Sequence, residues 1–152
     1  MRYGKKNAKA EKEAKCADEK ELCFILDGEF IYLEQSLVDF NDVPIFFLCK
    51  DRNSHFYIAL CTDFENFDYL GMKVSVAEVK DLLHQRITMR EIITKQNSFW
   101  KIETGKEIEL DKVERLPMER VDHSVLPKEG TFFKVLTDEM REFVKKFEEY
   151  QR

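Results

Sequence analysis

The sequence predicts an α+β domain: a curved antiparallel β-meander sheet of five to seven strands, with two short corner helices and a C-terminal amphipathic helix packed on it. Three observations favour this class. An Asp-Gly pair joins two β-prone runs, a second pair of apolar runs follows, and two helix-entrance signals stand close together near the middle of the chain. A chain of 152 residues has the length of one domain and can bury roughly two-thirds of its unfolded surface.

Residues 1–20 are predicted to be a separate charged tail, and residues 21–152 a single α+β domain. The tail carries seven Lys or Arg side chains against four Asp or Glu, so it is basic within a chain of net charge −5. Its apolar positions are mostly alanines, which make no wide stripe, so we expect a helix-prone or disordered segment. A solubilising extension, a basic arm that touches a polyanion or an acidic partner, and an arm folded back on the acidic body all stay open.

The first β-hairpin is predicted in LCFILDGEFIYLE, where Asp27-Gly28 suits a type I′ turn between two β-prone runs. The next two strands, at about 44–50 and 55–62, flank the polar loop 51–54. If that loop has four residues, Cys49 faces Phe56, and both faces of the strand pair are apolar, as expected for strands in mid-sheet that are covered on two sides. One face then carries Ile45, Phe47, Cys49, Phe56, Ile58 and Leu60, and the other carries Phe46, Leu48, Tyr57, Ala59 and Cys61.

A strand DYLGMKV leads to the stretch VSVAEVKDLLHQRITMREII, which contains two helix-entrance signals. Ser75 with Glu78, and Thr88 with Glu91, fit the capping box, in which a hydroxyl and a carboxylate satisfy free N–H groups at a helix start. Two adjacent starts predict a corner between two short helices, with the bend at Gln85–Ile87.

The C-terminal part is predicted to add two strands around Thr104-Gly105, an extended connection PMERVDHSVLPKEG, and a short edge strand TFFKVL. Thr137 then caps a last helix that runs to about Tyr150. The buried stripe of this helix is expected to comprise Met140, Phe143, Val144 and Phe147.

Composition disfavours several classes of function. The net negative charge argues against general affinity for nucleic acid or an anionic membrane. Lysines near Trp100 alternate with glutamates, as on a solvated strand face. No apolar run approaches the roughly 20 residues of a membrane span, and the first residues lack the apolar centre of a secretory signal. We therefore expect a cytoplasmic protein with reduced thiols; Cys49 and Cys61 are predicted to lie about 16 Å apart, too far for a disulfide.

Residues able to do chemistry are scattered along the chain. Asp122, His123 and Ser124 are contiguous, whereas the members of a catalytic triad meet through the fold, so a polar turn is favoured there. Cys61 with a histidine would be a second possibility. No phosphate-binding glycine loop, nucleophile elbow or zinc helix is found, so no catalytic residue, metal or cofactor is predicted.

The segment CTDFENFDYL alternates acidic and aromatic side chains. Its aromatics could be buried with the acids in water, or its acids could bind a cation, although the glycine and carboxylate register of calcium loops are missing. A partner-recognition loop is the third interpretation, since aromatics are common binding anchors. The predicted partner-binding residues are Asp63, Phe64, Glu65, Phe67 and Asp68.

From DVPIFFLCKD through KVSVAEVKDLLHQRITMREI to SVLPKEG, over roughly residues 22–147, the chain resembles a small bacterial domain family without an assigned function. The most specific element is the helix–corner–helix with ITMREI, followed by a strand with an aromatic residue. The resemblance implies a fold unit and no activity, substrate or catalytic residue.

These observations predict a non-enzymatic binding module of the bacterial cytoplasm with a protein partner. The alternative is a small enzyme or ligand-binding domain that uses a cleft near Asp122, His123 and Cys61. A further alternative is an acidic regulator of a nucleic-acid-bound complex. The sequence does not decide the oligomeric state.

Overall fold

The computed structural model describes residues 20–150, which form a curled antiparallel sheet of seven strands together with three α-helices. The strands lie side by side in chain order, so the predicted α+β class and antiparallel meander are confirmed. The predicted charged tail lies outside the described residues except for Lys20, whose ammonium is 2.8 Å from the carboxylate of Glu34.

The strands and helices are numbered here in the order in which they occur along the chain. The strands are β1 (Leu22–Leu26), β2 (Glu29–Phe40), β3 (Val43–Lys50), β4 (Phe56–Asp63), β5 (Asp68–Val74), β6 (Ser98–Glu103) and β7 (Lys112–Pro117). The helices are α1 (Val76–Leu83), α2 (Met89–Thr94) and α3 (Asp138–Phe147), and short 3₁₀ turns cover Ile108–Leu110, Met118–Arg120 and His123–Val125. Within the described part of the chain, no helix is both long and apolar enough to cross a membrane.

Two tight turns shape the first three strands. Asp27 and Gly28 have φ angles of 51° and 83°, and these positive values are those of the predicted type I′ hairpin. A second hairpin turn, at Asn41 and Asp42 with φ of 52° and 62°, was not predicted. Asn and Asp tolerate this left-handed region, so β2 continues to Phe40 before the chain reverses.

The predicted register between β3 and β4 is wrong by one residue. Cys49 pairs with Tyr57 and Lys50 with Phe56, so the loop has five residues, Asp51–His55, and not four. Because side chains alternate between faces, a slip of one residue moves every side chain of β4 to the other face. In the structure Phe46, Leu48, Phe56, Ile58 and Leu60 share one face, while Phe47, Cys49, Tyr57 and Ala59 share the other.

Both faces of the sheet are buried, as predicted for its central strands. One face packs against the three helices; this core includes Val79, Ile92 and Phe147. On the other face the rings of Phe24 in β1 and Tyr69 in β5 are 5.3 Å apart, although three strands separate them. The sheet therefore curls around this second, concave face, whose buried cluster comprises Cys23, Phe24, Leu26, Ile31, Phe47, Cys49, Tyr57, Ala59, Tyr69, Trp100 and Ile102.

The helix-entrance predictions are confirmed. The hydroxyl of Ser75 accepts from the N–H of Glu78, and the carboxylate of Glu78 accepts from the N–H of Ser75. The same reciprocal pair forms between Thr88 and Glu91 at the start of α2. At α3, the Thr137 hydroxyl accepts from the N–H of the residue three positions on. On this helix Met140 and Phe147 are buried, and Phe143 and Val144 are partly buried against the same core.

The segment TFFKVL forms no strand, so that prediction is wrong. The carbonyl of Thr131 accepts from the N–H of Met89, and the carbonyl of Phe133 accepts from the side-chain amide of Gln85. Partners at and near the helices thus replace a neighbouring strand, and the buried Phe133 ring anchors the segment on the helical side.

The two strands predicted around Thr104-Gly105 are present but are not joined by a tight turn. β6 ends at Glu103 and β7 begins at Lys112. Between them Ile108 is buried against Leu22 and Tyr32, so the connection folds inward and covers one end of the curled sheet.

Candidate functional site

The predicted partner-binding loop joins β4 to β5. The carboxylate of Asp63 organises this turn: it accepts from the side-chain amide of Asn66 at 2.8 Å and from the N–H groups of Asn66 and Glu65 at 3.2 and 3.0 Å. These hydrogen bonds, led by that of the Asn66 amide, hold the pKa of Asp63 below its ordinary value. Phe67, with φ of 55°, ends the turn, and its carbonyl accepts from the hydroxyl of Thr104 at 2.8 Å. The loop is therefore an ordered structure with an ionised carboxylate at its base.

Two aromatic side chains of this loop meet a third from the neighbouring hairpin. The ring of Phe64 is 5.0 Å from that of Phe40 in an edge-to-face arrangement, and 5.5 Å from that of Phe67. Phe40 is 52% exposed, whereas Phe67 is partly buried against the concave cluster. We call Phe40, Phe64 and Phe67 the aromatic tip.

Phe40 was not among the residues predicted from the sequence to bind a partner. The signal was the Asn41-Asp42 pair that follows it, because two successive residues that tolerate positive φ between apolar runs are typical of a hairpin turn. That turn places Phe40 at the same end of the sheet as the β4–β5 loop.

Several carboxylates lie next to the residues of the aromatic tip along the chain or on the neighbouring strands. Partial burial, followed by the nearby charges of Asp63 and Glu103, raises the pKa of Asp68 above its ordinary value. The acidic rim, as we name this set, comprises Asp39, Asp42, Asp63, Glu65, Asp68 and Glu103. Among residues 20–150, no three His, Cys, Asp or Glu side chains have an arrangement that could hold a metal ion.

Within residues 20–150, the residues of the predicted alternative cleft do not come together in the cavity that Asp122 lines. Asp122 caps a 3₁₀ turn by accepting from the N–H and the hydroxyl of Ser124, and these bonds lower the pKa of its exposed carboxyl. Asp122 also lines a cavity of about 280 Å³ together with Thr62, Tyr69, Leu70, Lys101, Glu114, Leu116, Arg120, Val121 and Val125. Neither His123 nor Cys61 is among these lining residues. Burial raises the pKa of the Cys61 thiol, which disfavours the reactive thiolate.

Comparisons with protein-family models, with curated proteins and with solved structures found no match to this chain. The candidate site is therefore defined by its own geometry: a partly exposed aromatic tip within an acidic rim, at the end of the sheet where two hairpins turn.

Proposed function

We propose that the protein is a non-enzymatic binding module that docks a basic protein partner through the aromatic tip and the acidic rim. The observation that supports this most directly is the ring of Phe40, which is 52% exposed and backed by Phe64. A large apolar side chain held out to solvent on a rigid support is typical of a binding anchor, because its burial in a partner removes apolar area from water at little cost in conformational entropy.

The charge around the tip supports a basic partner. The acidic rim places several carboxylates within two hairpins, and such a patch attracts Lys and Arg side chains while repelling acidic proteins. Interactions between exposed charges weaken when salt shortens the Debye length from about 10 Å at 0.1 M to about 3 Å at 1 M. Binding that uses both parts of the surface should therefore lose affinity with salt and still keep an apolar component.

We further propose that the protein acts in the bacterial cytoplasm. The cysteines that the structure describes, Cys23, Cys49 and Cys61, are in the reduced thiol form, and the first two are buried. Reduced thiols agree with a reducing compartment, where disulfides are rare.

The test is a double substitution, Phe40→Ser with Phe64→Ser, which removes the exposed face of the tip. Phe67 is left intact because its ring packs on the concave cluster. The matched control is Leu110→Ser with Leu136→Ser, which removes two apolar side chains that are 61% and 79% exposed outside the tip.

Tagged wild type, tip variant and control are incubated with bacterial lysate, and the captured proteins are quantified by mass spectrometry. We expect basic proteins that wild type and control retain to be lost by the tip variant, and to be reduced at 0.5 M NaCl. Loss of an anchor of this kind corresponds to about 30-fold in affinity or more. If the tip variant melts like wild type and still captures the same proteins, the aromatic tip is not the binding surface.

A further inference from the structure

The concave side of the curled sheet is covered at one end and open at the other. At the end that carries the aromatic tip, Ile108 in the β6–β7 connection packs on Leu22 and Tyr32. At the opposite end lies a cavity of about 490 Å³. We call it the sheet mouth; its lining residues are Leu26, Asp27, Glu29, Tyr57, Lys73, Gln96, Asn97, Ser98, Trp100 and Arg115. Small-molecule sites commonly lie at such openings and have volumes of about 300–1,000 Å³.

The floor of the sheet mouth is formed by apolar side chains of the concave cluster. Leu26, Tyr57 and Trp100 belong to the buried concave cluster, and the rings of Tyr57 and Trp100 are 5.9 Å apart. The Tyr57 hydroxyl donates to the carboxylate of Asp51 at 2.8 Å, so its polar end is already satisfied within the protein. Leu26, Tyr57 and Trp100 are only 2%, 6% and 7% exposed, so the floor offers a ligand a small surface, and that surface is aromatic and aliphatic.

One wall of the sheet mouth is fixed by a network around Asp27. Its carboxylate accepts from the indole N–H of Trp100 at 3.1 Å and from the guanidinium of Arg115 at 2.9 Å. The same guanidinium lies 4.4 Å from the centre of the Trp100 ring. The charges of Asp27 and Arg115 are thus largely satisfied by each other and by the indole, and they shape the wall.

Two charged side chains of the sheet mouth remain for a ligand. Within residues 20–150, neither the carboxylate of Glu29 nor the ammonium of Lys73 forms a hydrogen bond or an ion pair. Lys73 pairs with Tyr57 on the neighbouring strand, so both side chains lie on the concave side of the sheet. Glu29 comes directly after the β1–β2 turn, where it pairs with Leu26 of the concave cluster. Among the described residues, therefore, an anion and a cation without partners border the same apolar floor.

From this arrangement we infer that the sheet mouth binds a small zwitterion with an apolar or aromatic group, of the chemical class of a free α-amino acid. Lys73 would receive the carboxylate, Glu29 the ammonium, and the floor of Tyr57 and Trp100 the side chain. Two carboxylates balance two cations in the lining, so the cavity has no excess of positive charge to favour a phosphate or a nucleotide, and no cluster of anions to favour a lone cation.

The sequence provides its own reporter, because Trp100 is the single tryptophan of the chain and lies in the floor. The full-length protein is titrated with L-phenylalanine and L-leucine, which contain no indole, while tryptophan emission is recorded. We expect a saturable change in intensity or wavelength. L-Phenylalaninamide lacks the carboxylate, and N-acetyl-L-phenylalanine lacks the ammonium, so each blocked derivative should bind at least about tenfold more weakly than the parent amino acid, or about 1.4 kcal/mol.

Substitution separates the two charge contacts. Lys73→Gln and Glu29→Gln should each weaken L-phenylalanine binding about tenfold, and the loss in each variant should match the loss on blocking the corresponding ligand group. Lys101→Gln is the matched control: Lys101 is exposed on β6 and pairs with Leu70, a residue of the opposite core. The absence of any saturable response up to 10 mM, or equal binding by blocked and unblocked ligands to the wild-type chain, overturns the inference. The wild-type comparison stands even where a substitution alters folding.

Discussion

Substitution of Asp51 by Ala should destabilise the protein more than its place in a surface loop suggests. Asp51 is only 3% exposed, and its carboxylate accepts from the N–H groups of Asn53 and His55 and from the hydroxyl of Tyr57, at 2.8, 3.0 and 2.8 Å. The ring nitrogen Nδ1 of His55 lies 3.2 Å from the second carboxylate oxygen. One side chain thus holds the whole β3–β4 loop and also the hydroxyl of a core tyrosine.

The size of the effect follows from which donors lose their acceptor. The hydroxyl of Tyr57 is buried, and a buried donor without a partner costs about 1–3 kcal/mol. Asn53 and His55 are exposed, so water can replace the carboxylate at their N–H groups, and each loss should cost about 0.5–1 kcal/mol. We expect Asp51→Ala to lower the free energy of unfolding by about 3 kcal/mol, or about 6–12 °C in Tm for a chain of this size.

Urea unfolding monitored by Trp100 fluorescence and by far-UV circular dichroism measures this free energy. Tyr57→Phe alone should cost about 1 kcal/mol, and the double variant should cost less than the sum of the single changes by about 1 kcal/mol, because the two residues share one hydrogen bond. Glu109→Ala serves as the control, because Glu109 is exposed and its side chain forms no hydrogen bond or ion pair within residues 20–150. Its free energy of unfolding should differ from that of wild type by no more than about 0.5 kcal/mol. Strict additivity of Asp51→Ala and Tyr57→Phe would show that the hydroxyl does not depend on this carboxylate.

The pH dependence gives an independent check on the same residue. Burial acts to raise the pKa of Asp51, but the bonds from the His55 amide, the Tyr57 hydroxyl and the Asn53 amide outweigh it and leave the pKa below its ordinary value. A carboxyl whose pKa is lower in the folded state contributes stability that is fully present above its unfolded pKa of about 3.9, and that is lost as pH falls through the folded value. The difference in unfolding free energy between wild type and Asp51→Ala should therefore shrink as pH falls below about pH 4. A difference that did not shrink below about pH 4 would contradict the assignment.

Two further predictions concern close packing and thiol chemistry. Gly105→Ala should lower the free energy of unfolding by about 1–3 kcal/mol in the same urea assay, because the new Cβ would lie 2.6 to 2.9 Å from three atoms of Leu110, two of them backbone atoms. Gly71→Ala is the control and should cost less than about 1 kcal/mol, because its Cβ would meet neighbours only at 3.5 Å and beyond. Equal costs would contradict the importance of the close contact between Gly105 and Leu110. Iodoacetamide should alkylate Cys61 in the folded protein at least about tenfold faster than Cys49. Cys49 is fully buried, and burial together with the neighbouring Cys23 raises its pKa well above the ordinary value. Peptide mapping measures the order in which the two thiols are alkylated, and early modification of Cys49 would show that the concave cluster opens readily.

The parts of the fold that could be predicted from the sequence are those whose partners lie close together in the chain. A capping box needs only residues three positions apart, so both Ser75 with Glu78 and Thr88 with Glu91 could be identified before any tertiary contact was known. The Asp27-Gly28 turn is similar, because the φ angles it needs are a property of the two residues themselves.

The parts that could not be predicted depend on contacts between distant segments. The extended run around Phe133 has the composition of a strand, but its carbonyls are satisfied by partners at and near the helices, and local composition cannot show this. The aromatic tip was predicted in part, from Phe64 and Phe67 in one loop. Its most exposed member, Phe40, comes from another hairpin and joins them only when the strands align.

The register error between β3 and β4 shows how the contact between Asp51 and Tyr57 determines the proposed ligand site. With a four-residue loop, Tyr57 would share a face with Phe46 and Leu48, against the helices, and the sheet mouth would lose an aromatic ring from its floor. The carboxylate of Asp51 instead accepts hydrogen bonds from within a five-residue loop and from the Tyr57 hydroxyl, which is compatible only with Tyr57 on the concave side. The same side chain therefore fixes the loop length, the face on which Tyr57 lies and the apolar surface next to Lys73. It follows that Asp51→Ala should weaken binding in the sheet mouth as well as folding, while the aromatic tip at the other end of the sheet, held by Asp63 and Asn66, should keep its structure.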